Sequence, residues 1–514
     1  MSVDPATLLQ QAVTLHQQGR LEQAYTLYQQ VLARAPQQFD ALHLSGVIER
    51  QRGNPARAAA LIRAALQVDP QQARAHANLG AALNDLGQPE AALDSIDAAL
   101  RLDPRYALAW NNRGNTLRRL GRAREALDSY ERALAVQPGY PEAWCHRAIV
   151  LNDLGRHADA VASAEQALAM RAAYADALQA LGNALQALER LTDAVAAYER
   201  ALAAAQPAQQ AEIWCARGAA LKKSGMLEQA LDSYEQALQQ RPDYAMAEHY
   251  RANVLRALGR REEAIQAYRR ARDLGADPAD IGFALAALGE GATPAAAPAD
   301  YVKGLFDQYA GHFDRHLVEV LGYRTPQLLH ALLQPHLPAA PLPCFEQALD
   351  LGCGTGLCAP FMRPLAGKLI GVDLSQKMLD QAGTLGLYDE LALGDIAGFL
   401  ERGGQDYGLV LAADVFVYIG ELAPVFGGVA RALRPGGLFA FSCEALEAQD
   451  GADDGAGYAI TASNRYAHAL AYIERLGAAC GLAVTATQNA TLRREHGKDV
   501  PGHLVLLHKG STGY

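Results

Sequence analysis

Three glycines at alternate positions, Gly352, Gly354 and Gly356, follow a short apolar run that contains Asp350. Glycine lets a backbone approach a ligand closely and adopts dihedral angles that other residues resist. The spacing is G-x-G-x-G, whereas a nicotinamide-binding loop would need G-x-G-x-x-G, and position 357 is leucine. The motif therefore predicts a ligand-binding turn between a strand and a helix, without a dinucleotide.

Two aspartates close the next two apolar runs. Asp373 ends KLIGVD, 21 residues beyond Gly352, and Asp395 ends LALGD. A carboxylate at the first place can accept hydrogen bonds from both hydroxyls of a ribose. The second is placed to accept a hydrogen bond from an adenine amino group, although an aspartate at a strand end often serves only the local turn. Both are candidate cofactor-binding residues.

Five further polar residues lie near the ends of the later apolar runs. Asp414 and Tyr418 follow the fourth run, and His468 is expected to open the helix before the sixth. A base at such a place would take a proton from an acceptor that arrives as a hydroxyl or an ammonium group. A lone histidine on a helix is more often structural, so both interpretations of His468 stay open. Arg465 and Tyr466 could anchor an anionic or polar acceptor.

Short apolar runs alternate with helical stretches throughout the second half, which indicates a parallel sheet with helices on both faces. The last two runs leave no room for a helix between them, so that pair is expected to be antiparallel. The sequence thus predicts an α/β domain with a seven-stranded sheet whose last strand is reversed. The predicted strands are 346–351, 368–373, 390–394, 407–413, 437–443, 482–488 and 502–508.

The first half of the chain is a repeat. Glycines recur every 34 residues from Gly19 to Gly155 and again at Gly225 and Gly259, each five residues before an alanine. A 34-residue period of two helices is the tetratricopeptide pattern, in which stacked helix pairs form a superhelix with a concave face. The sequence predicts an all-α superhelix over residues 1–290, which ends in a capping helix. About eight repeats can be read, starting near residues 5, 39, 73, 107, 141, 175, 211 and 245.

The segment 291–300 (GATPAAAPAD) separates the two halves. Its small residues and prolines carry no apolar period, which predicts a linker. Residues 301–514 then form the second domain, and a fragment 296–514 is expected to fold alone, as domains bounded by linkers usually can.

Motifs from both halves together resemble a known protein family. Beside the repeats, the chain contains YVKGLFDQYAGHFDRHLVEVLGYRTPQLL, LDLGCGTG, DVFVYIG, RPGG and NRYAHALAYIERL. These segments resemble the predicted bacterial tetratricopeptide-repeat (TPR) methyltransferases, whose C-terminal domain is a class I methyltransferase of Rossmann-like fold. The resemblance covers residues 5–290 and 301–510, and it implies an enzyme with S-adenosylmethionine (SAM) as cofactor.

The resemblance also implies roles for five apolar or aromatic residues. In class I methyltransferases, Leu374, Met378 and Ile396 would flank the adenine ring. In related methyltransferases the leading helix folds over the SAM, so Tyr309 and Phe313 are candidate lid residues. Ordinary packing on a helix face is the alternative for these last two.

Amide side chains fall on the face of the array that is expected to be concave. Asn78, Asn112 and Asn115 are candidates for binding an extended polypeptide, because an amide both donates and accepts hydrogen bonds. A protein or peptide partner is therefore predicted for this face. The alternative is that the array is a scaffold or an oligomerisation arm.

Composition excludes several classes of protein. Half of the 514 residues are apolar and a fifth are charged, which excludes a disordered chain. The net charge is −10, most of it after residue 290, so nucleic acid is not expected as a partner. Seven scattered cysteines complete no zinc spacing, and no metal is predicted. No signal peptide and no apolar run of about 18 residues is found, so the chain is expected to be cytoplasmic, without a membrane span.

Three functions remain open at this point. The first is a methyltransferase whose acceptor is a protein, a peptide or a glycan-bearing protein that docks on the array. The second is a methyltransferase for a small molecule or sugar precursor, with the array as scaffold. The third is a SAM-binding adaptor without catalysis. Nothing in the sequence identifies the acceptor atom.

Overall fold

The computed structural model describes residues 4–309, 322–339, 341–403, 406–446, 457–461, 463–495 and 498–510. The chain divides into two compact units, Met1–Gly259 and Arg260–Tyr514. The first unit is helical, and the second contains the sheet.

From residue 5 to residue 240 the helices of the first unit pack in consecutive pairs, which confirms the predicted repeat array. The first helix of each repeat begins at the predicted start, except that the first helix of the seventh repeat begins four residues earlier, at Pro207. The helices are α1 (Pro5–Gln17), α2 (Leu21–Arg34), α3 (Phe39–Gln51), α4 (Pro55–Val68), α5 (Ala73–Asp85), α6 (Pro89–Leu102), α7 (Ala107–Arg119), α8 (Ala123–Val136), α9 (Pro141–Asp153), α10 (His157–Met170), α11 (Ala175–Ala187), α12 (Leu191–Ala204), α13 (Pro207–Lys223), α14 (Leu227–Gln240) and α15 (Ala245–Ala257).

Glycine has two separate uses in these repeats. Between the helices of a pair it takes a left-handed conformation, as at Gly87 with φ of 71°, and Glu189 adopts φ of 60° where the sixth repeat lacks this glycine. Where paired helices cross, a Cβ atom on Gly182 would lie 2.5 Å from Cε1 of the buried Tyr198. The repeat period therefore encodes both the turn and the close approach of the helices.

The second unit begins with two helices and continues into an α/β domain. Its helices are α16 (Arg261–Asp273), α17 (Pro278–Ala286), α18 (Ala299–Tyr309), α19 (Thr325–Leu333), α20 (Ala359–Met362), α21 (Gln376–Thr384), α22 (Ile396–Glu401), α23 (Ala423–Ala432) and α24 (Leu470–Ala479), with 3₁₀ turns at Gln334–His336, Arg363–Leu365 and Phe416–Tyr418. Its strands are β1 (Phe345–Leu351), β2 (Ala366–Asp373), β3 (Glu390–Leu393), β4 (Tyr407–Ala412), β5 (Leu433–Ala445), β6 (Tyr458–Ile460), β7 (Tyr466–His468), β8 (Leu482–Glu495) and β9 (Lys498–Lys509).

Seven of these strands form the predicted sheet, in the order β3-β2-β1-β4-β5-β9-β8. The first five are parallel to one another, and β9 runs antiparallel to both β5 and β8. The reversed last strand confirms the predicted Rossmann-like class. A short hairpin of β6 and β7, which the sequence pattern did not indicate, adds to the end of β5.

Both faces of the sheet are covered by apolar side chains, as a parallel sheet requires. On one face the rings of Phe416, Phe426, Phe439 and Phe441 pack together, with centroids 4.8–6.3 Å apart. The other face packs beneath α19 and α20. This core fixes the strand ends from which the loops of the site emerge.

The segment predicted as a linker lies within the second unit. Ala296 forms an antiparallel bridge with Ile419, so this segment is hydrogen-bonded to the loop after β4. This pairing attaches part of the segment to the second unit. The domain boundaries predicted at residues 290 and 301 stay a prediction.

All seven cysteines are free thiols. Within the described ranges, no group of histidine, cysteine and carboxylate side chains is arranged to hold a metal ion. Over the same residues, no helix is both long enough and apolar enough to cross a membrane.

Candidate active site

A cavity of about 470 Å³ opens at the carboxyl ends of β1 to β4. Ligands of open parallel sheets bind at this edge, because helices that cover opposite faces diverge there. The wall is mostly apolar and includes Leu374, Ile396, Val417 and Phe306. Its polar side chains in the described part of the chain are Tyr323, Asp350, Thr355, Asp373, Asp395, Asp414, Tyr418, Glu421 and Arg465.

The three glycines of the turn after β1 do different things. Gly352 has φ of 65°, and a Cβ atom there would lie 2.6 Å from Cγ2 of Val415. Gly354 has φ of 54° and faces open space at the cavity wall. Gly356 lies behind the wall, where a Cβ would clash with Leu385 at 2.7 Å. Gly352 and Gly354 thus expose backbone to a ligand, whereas Gly356 permits packing.

The carboxylate of Asp373 holds the same turn from the end of β2. Its Oδ2 accepts a hydrogen bond from the Gly354 N–H at 2.9 Å, and its Oδ1 accepts one from the Ser375 N–H at 2.9 Å. Burial raises the pKa of Asp373, and these backbone hydrogen bonds oppose that rise. Ser375 donates from Oγ to Asp307 on α18 at 2.6 Å. Asp373 therefore fixes the glycine turn while it remains on the cavity wall.

Asp350 is buried at the end of β1. The Tyr388 hydroxyl donates a hydrogen bond to its Oδ2 at 2.6 Å. Burial raises the pKa of Asp350 to about 7, and the Tyr388 hydrogen bond opposes part of that rise. The group therefore changes charge near neutral pH. Tyr388 was not predicted, since no motif marks it.

The residues predicted around an adenine ring separate into two groups. Leu374, Asp395 and Ile396 line the cavity, and Asp395 also caps α22 by accepting a hydrogen bond from the Gly398 N–H at 2.8 Å. Met378 is fully buried within α21 and does not line the cavity. The first three stay candidates for ring contact, whereas Met378 belongs to the core.

Asp414 belongs to a buried ionic cluster. Its φ is 59°, which costs energy in a residue other than glycine. Its Oδ2 lies 3.1 Å from an Nη of Arg493, which also pairs with Glu444 and is only 1 % exposed. Arg465, at the cavity wall, lies 3.8 Å from Glu444. Asp414 lines the cavity, but its carboxylate is already paired with Arg493, and its role as a base stays a prediction. Sequence reasoning missed Arg493 altogether.

Tyr418 lines the cavity as predicted. Its ring meets Phe306 of α18 edge-on at 5.4 Å, and burial raises its pKa. A phenol in this state keeps its proton at neutral pH, so it can donate a hydrogen bond but is a poor base.

His468 and Tyr466 do not line the cavity. His468 lies in β7 rather than at the start of a helix, and its Nε2 donates to the carbonyl oxygens of Ile419 at 3.0 Å and Gly420 at 3.1 Å. Burial lowers its pKa to about 4. The Tyr466 hydroxyl donates to the carbonyl of Pro294 at 2.8 Å. The predictions of a catalytic His468 and an acceptor-anchoring Tyr466 conflict with this geometry, because both side chains are hydrogen-bonded to backbone carbonyls outside the cavity wall.

The two predicted lid residues cannot be placed. Phe313 lies outside the described residues, and the side chain of Tyr309, at the end of α18, lies outside them as well. Val302 and Phe306 of the same helix line the cavity. The leading helix thus contributes Val302 and Phe306 to the cavity wall, and the lid roles of Tyr309 and Phe313 stay predictions.

The first unit has a cavity of its own, of about 480 Å³. Asn112 and Asn115 line it together with Arg118 and Arg119. Asn115 accepts a hydrogen bond from the Tyr130 hydroxyl at 2.7 Å. Asn78 does not line it; its amide lies 2.9 Å from Nε2 of His43. Two of the three predicted amides, Asn112 and Asn115, therefore stay candidates for contact with a ligand in this cavity.

Family comparisons match both halves of the chain. A methyltransferase domain matches residues 348–437, and tetratricopeptide repeats match residues 9–73, 43–107, 107–140, 145–210 and 211–244.

Three curated relatives are methyltransferases by name. The chain is 40 % identical to human methyltransferase-like protein 27 over 89 residues, which is 17 % of this chain and 35 % of that protein. It is 27 % identical to ubiquinone biosynthesis O-methyltransferase of Ralstonia nicotianae over 179 residues, 33 % of this chain and 74 % of that one. It is 30 % identical to malonyl-[acyl-carrier protein] O-methyltransferase of Salmonella typhimurium over 118 residues, 22 % and 47 % of the two chains. The chain spans less than half the length of the first curated relatives it matches.

Among solved structures, the array is similar to MamA, with 24 % identity, a TM-score of 0.29 and coverage of 31 % of this chain and 93 % of that one. It is also similar to the APC/C hetero-tetramer Cut9–Hcn1, with 18 % identity, a TM-score of 0.42 and coverage of 52 % of each chain. The helix pairs, the sheet order and the family matches agree with one another. The chain therefore combines an N-terminal array of tetratricopeptide repeats with a C-terminal methyltransferase domain of Rossmann-like fold.

Proposed function

We propose that this protein is a SAM-dependent methyltransferase whose repeat array binds a protein or peptide acceptor or partner. The observation that carries the proposal is the cavity at the strand ends, where Gly354, Asp373 and Asp395 meet within the matched methyltransferase domain.

The residues of this wall fit the parts of SAM. The open backbone at Gly354 leaves room beside the carboxylate of Asp373, which can accept hydrogen bonds from ribose hydroxyls. Leu374 and Ile396 offer apolar surface to a flat ring, and Asp395 can accept a hydrogen bond from its amino group. The ionised carboxylate of Asp350 would favour the cationic methionine end. Bound here, SAM would supply a methyl group activated by a sulfonium.

The chain's own contribution is mainly to orient groups and to exclude water. Methyl transfer needs the acceptor atom held in line with the methyl group, and alignment of this kind supplies much of the rate. Phe306 and Val302 cover the cavity from α18, which limits access of water. Tyr418 can donate a hydrogen bond to the acceptor. Of the predicted bases, His468 does not line the cavity and Asp414 is paired there with Arg493, so no base is assigned to the transfer.

The array supports a macromolecular acceptor. Amide and guanidinium groups gather around Asn112, Arg118 and Arg119, and such groups suit the carbonyls and carboxylates of a polypeptide. An array joined to a catalytic domain raises the local concentration of whatever it holds. The alternative is a small molecule or sugar-precursor acceptor with the array as scaffold. The name of the ubiquinone biosynthesis O-methyltransferase favours a small-molecule acceptor, and the names of both O-methyltransferase relatives favour an oxygen as acceptor atom.

Tritiated SAM distinguishes these functions. Full-length protein should transfer label to a polypeptide that it also captures, and Asn112→Ala should reduce that transfer without weakening SAM binding. Gln137→Ala, an exposed amide that does not line the array cavity, is the matched control. Equal transfer by both variants would favour the small-molecule acceptor. Tight SAM binding without transfer to any acceptor would favour the adaptor.

A further inference from the structure

The segment Pro294–Ala297, here called the strap, forms part of the cavity wall. Ala295, Ala296 and Ala297 all line the cavity. The carbonyl oxygen of Ala295 accepts hydrogen bonds from the N–H groups of Gly420 and Glu421, both at 2.8 Å, and the Ala297 N–H donates to the carbonyl of Tyr418 at 2.9 Å. Three backbone hydrogen bonds thus join the strap to the loop after β4, which lines the same cavity.

Side-chain contacts also hold the strap and the helices on either side of it in the sequence. The Tyr466 hydroxyl, on β7, donates to the Pro294 carbonyl at 2.8 Å. Its buried ring packs against Phe283 of α17, with centroids 6.0 Å apart. Phe283 also meets Tyr301 of α18 at 5.4 Å. The helix that precedes the strap, the strap itself and the helix that follows it therefore share one set of contacts.

These contacts continue to the ligand cavity. Phe283, Ala297, Val302 and Tyr466 form one buried apolar cluster, and Leu374 and Tyr418 pack against it. Leu374 and Tyr418 are themselves cavity wall residues. α17 is held in turn on α16, where the Arg261 guanidinium donates to the Leu288 carbonyl at 3.1 Å. A continuous packed path thus runs from α16 to the cavity.

We propose that Tyr466 and Phe283 are positioning residues that hold the strap against the cavity, so that filling the cavity and ordering α17 are coupled. The coupling rests on the proposed function only for the identity of the ligand. The coupling is reciprocal, as thermodynamic linkage requires. A ligand in the cavity protects α17 from amide hydrogen exchange, and a loosened α17 lowers the affinity for the ligand. Neither residue touches the ligand.

The test uses full-length protein with S-adenosylhomocysteine as probe. Tyr466→Phe removes only the hydroxyl that binds the strap, and the loss of one such hydrogen bond should weaken binding about two- to tenfold. Tyr407→Phe is the matched control, because the Tyr407 hydroxyl is equally buried and makes no hydrogen bond among the described residues. Phe283→Leu, which keeps the site apolar but removes the ring contact, should act in the same direction as Tyr466→Phe.

Hydrogen exchange separates positioning from a general loss of stability. Without ligand, Tyr466→Phe should speed amide exchange at Ala297, Gly420 and in α17, whereas Tyr407→Phe should not. With ligand, α17 should be protected in the wild type and less so in Tyr466→Phe. The inference would be overturned if the amide exchange rates in α17 changed neither on addition of ligand nor on the Tyr466→Phe substitution. Failure of the wild type to bind the probe would overturn the proposed function instead, and the ligand-free comparison would still decide the role of Tyr466.

Discussion

Replacing Arg493 by methionine should strongly destabilise the second unit. Arg493 is 1 % exposed and pairs with both Asp414 and Glu444, so its removal leaves two carboxylates together without their buried cation. Removing one partner of a buried ion pair costs about 3–5 kcal/mol. For a unit of this size, that loss corresponds to a fall of about 6–20 °C in the midpoint of thermal unfolding.

The neighbouring residue provides the control. Arg494 also pairs with an aspartate, Asp499, at 2.7 Å, but it is exposed, so Arg494→Met should leave the midpoint almost unchanged. Calorimetry detects the unfolding of both units. Tryptophan fluorescence detects the unfolding of the first unit alone, because all three tryptophans, at 110, 144 and 214, lie there, and it thereby identifies which transition belongs to the second. Equal midpoints for Arg493→Met and Arg494→Met in the second unit would refute the assignment of a buried ionic cluster.

Three further predictions concern aspartates and the histidine. Asp373→Asn should weaken SAM binding about ten- to a hundredfold, which is the contribution of a charge-assisted hydrogen bond. Asp389→Asn, which loses a similar backbone contact away from the cavity, should leave SAM binding unchanged. Equal SAM affinities of the two variants in titration calorimetry would contradict this. The folded pKa of Asp350 (about 7) exceeds its unfolded value, so the contribution of Asp350 to stability declines as pH rises from about 4 through 7. Asp350→Asn should therefore be more stable than the wild type at pH 8 but not at pH 4. Thermal unfolding of both proteins at the two pH values can show this. Burial lowers the folded pKa of His468 to about 4, so its contribution to stability is lost as pH falls from about 6.5 to 4. His468→Gln should therefore make the second unit less sensitive to this fall in pH, although the dependence due to His503, whose pKa is also lowered by burial, should remain. The pH profile of methyl transfer should stay unchanged, and a shifted profile would restore His468 as a catalyst.

The large elements could be predicted because their patterns are periodic. The glycine spacing of the array encodes a turn and a helix crossing, and each recurs in the structure at positions such as Gly87 and Gly182. The central strands β1, β2, β4 and β5 contain buried, mostly apolar runs, as strands buried on both faces must. The β6–β7 hairpin was missed because strands of three residues carry no readable period.

The site could be predicted where backbone chemistry decides it, and not where side-chain orientation does. Gly354 and Asp373 lie together because a tight turn and a strand end place them there. Met378 was placed beside the adenine ring by the family resemblance, and His468 was a candidate base with a structural role as the alternative, but both side chains are buried in the core. Arg493 and Arg494 look alike in the sequence. Alternation along β8 sends one inward and the other outward, and the sequence does not show which face is buried.

Photolabelling with tritiated SAM shows whether the cofactor binds in the cavity at the strand ends. Ultraviolet cross-linking of full-length protein, followed by peptide mapping, should place the label in cavity wall segments such as 350–374 or 413–425. Excess unlabelled SAM should abolish it, and Asp373→Asn should reduce it. Label that falls in the repeat array, or no competable label on folded wild-type protein, would contradict the assignment of this cavity as the SAM site.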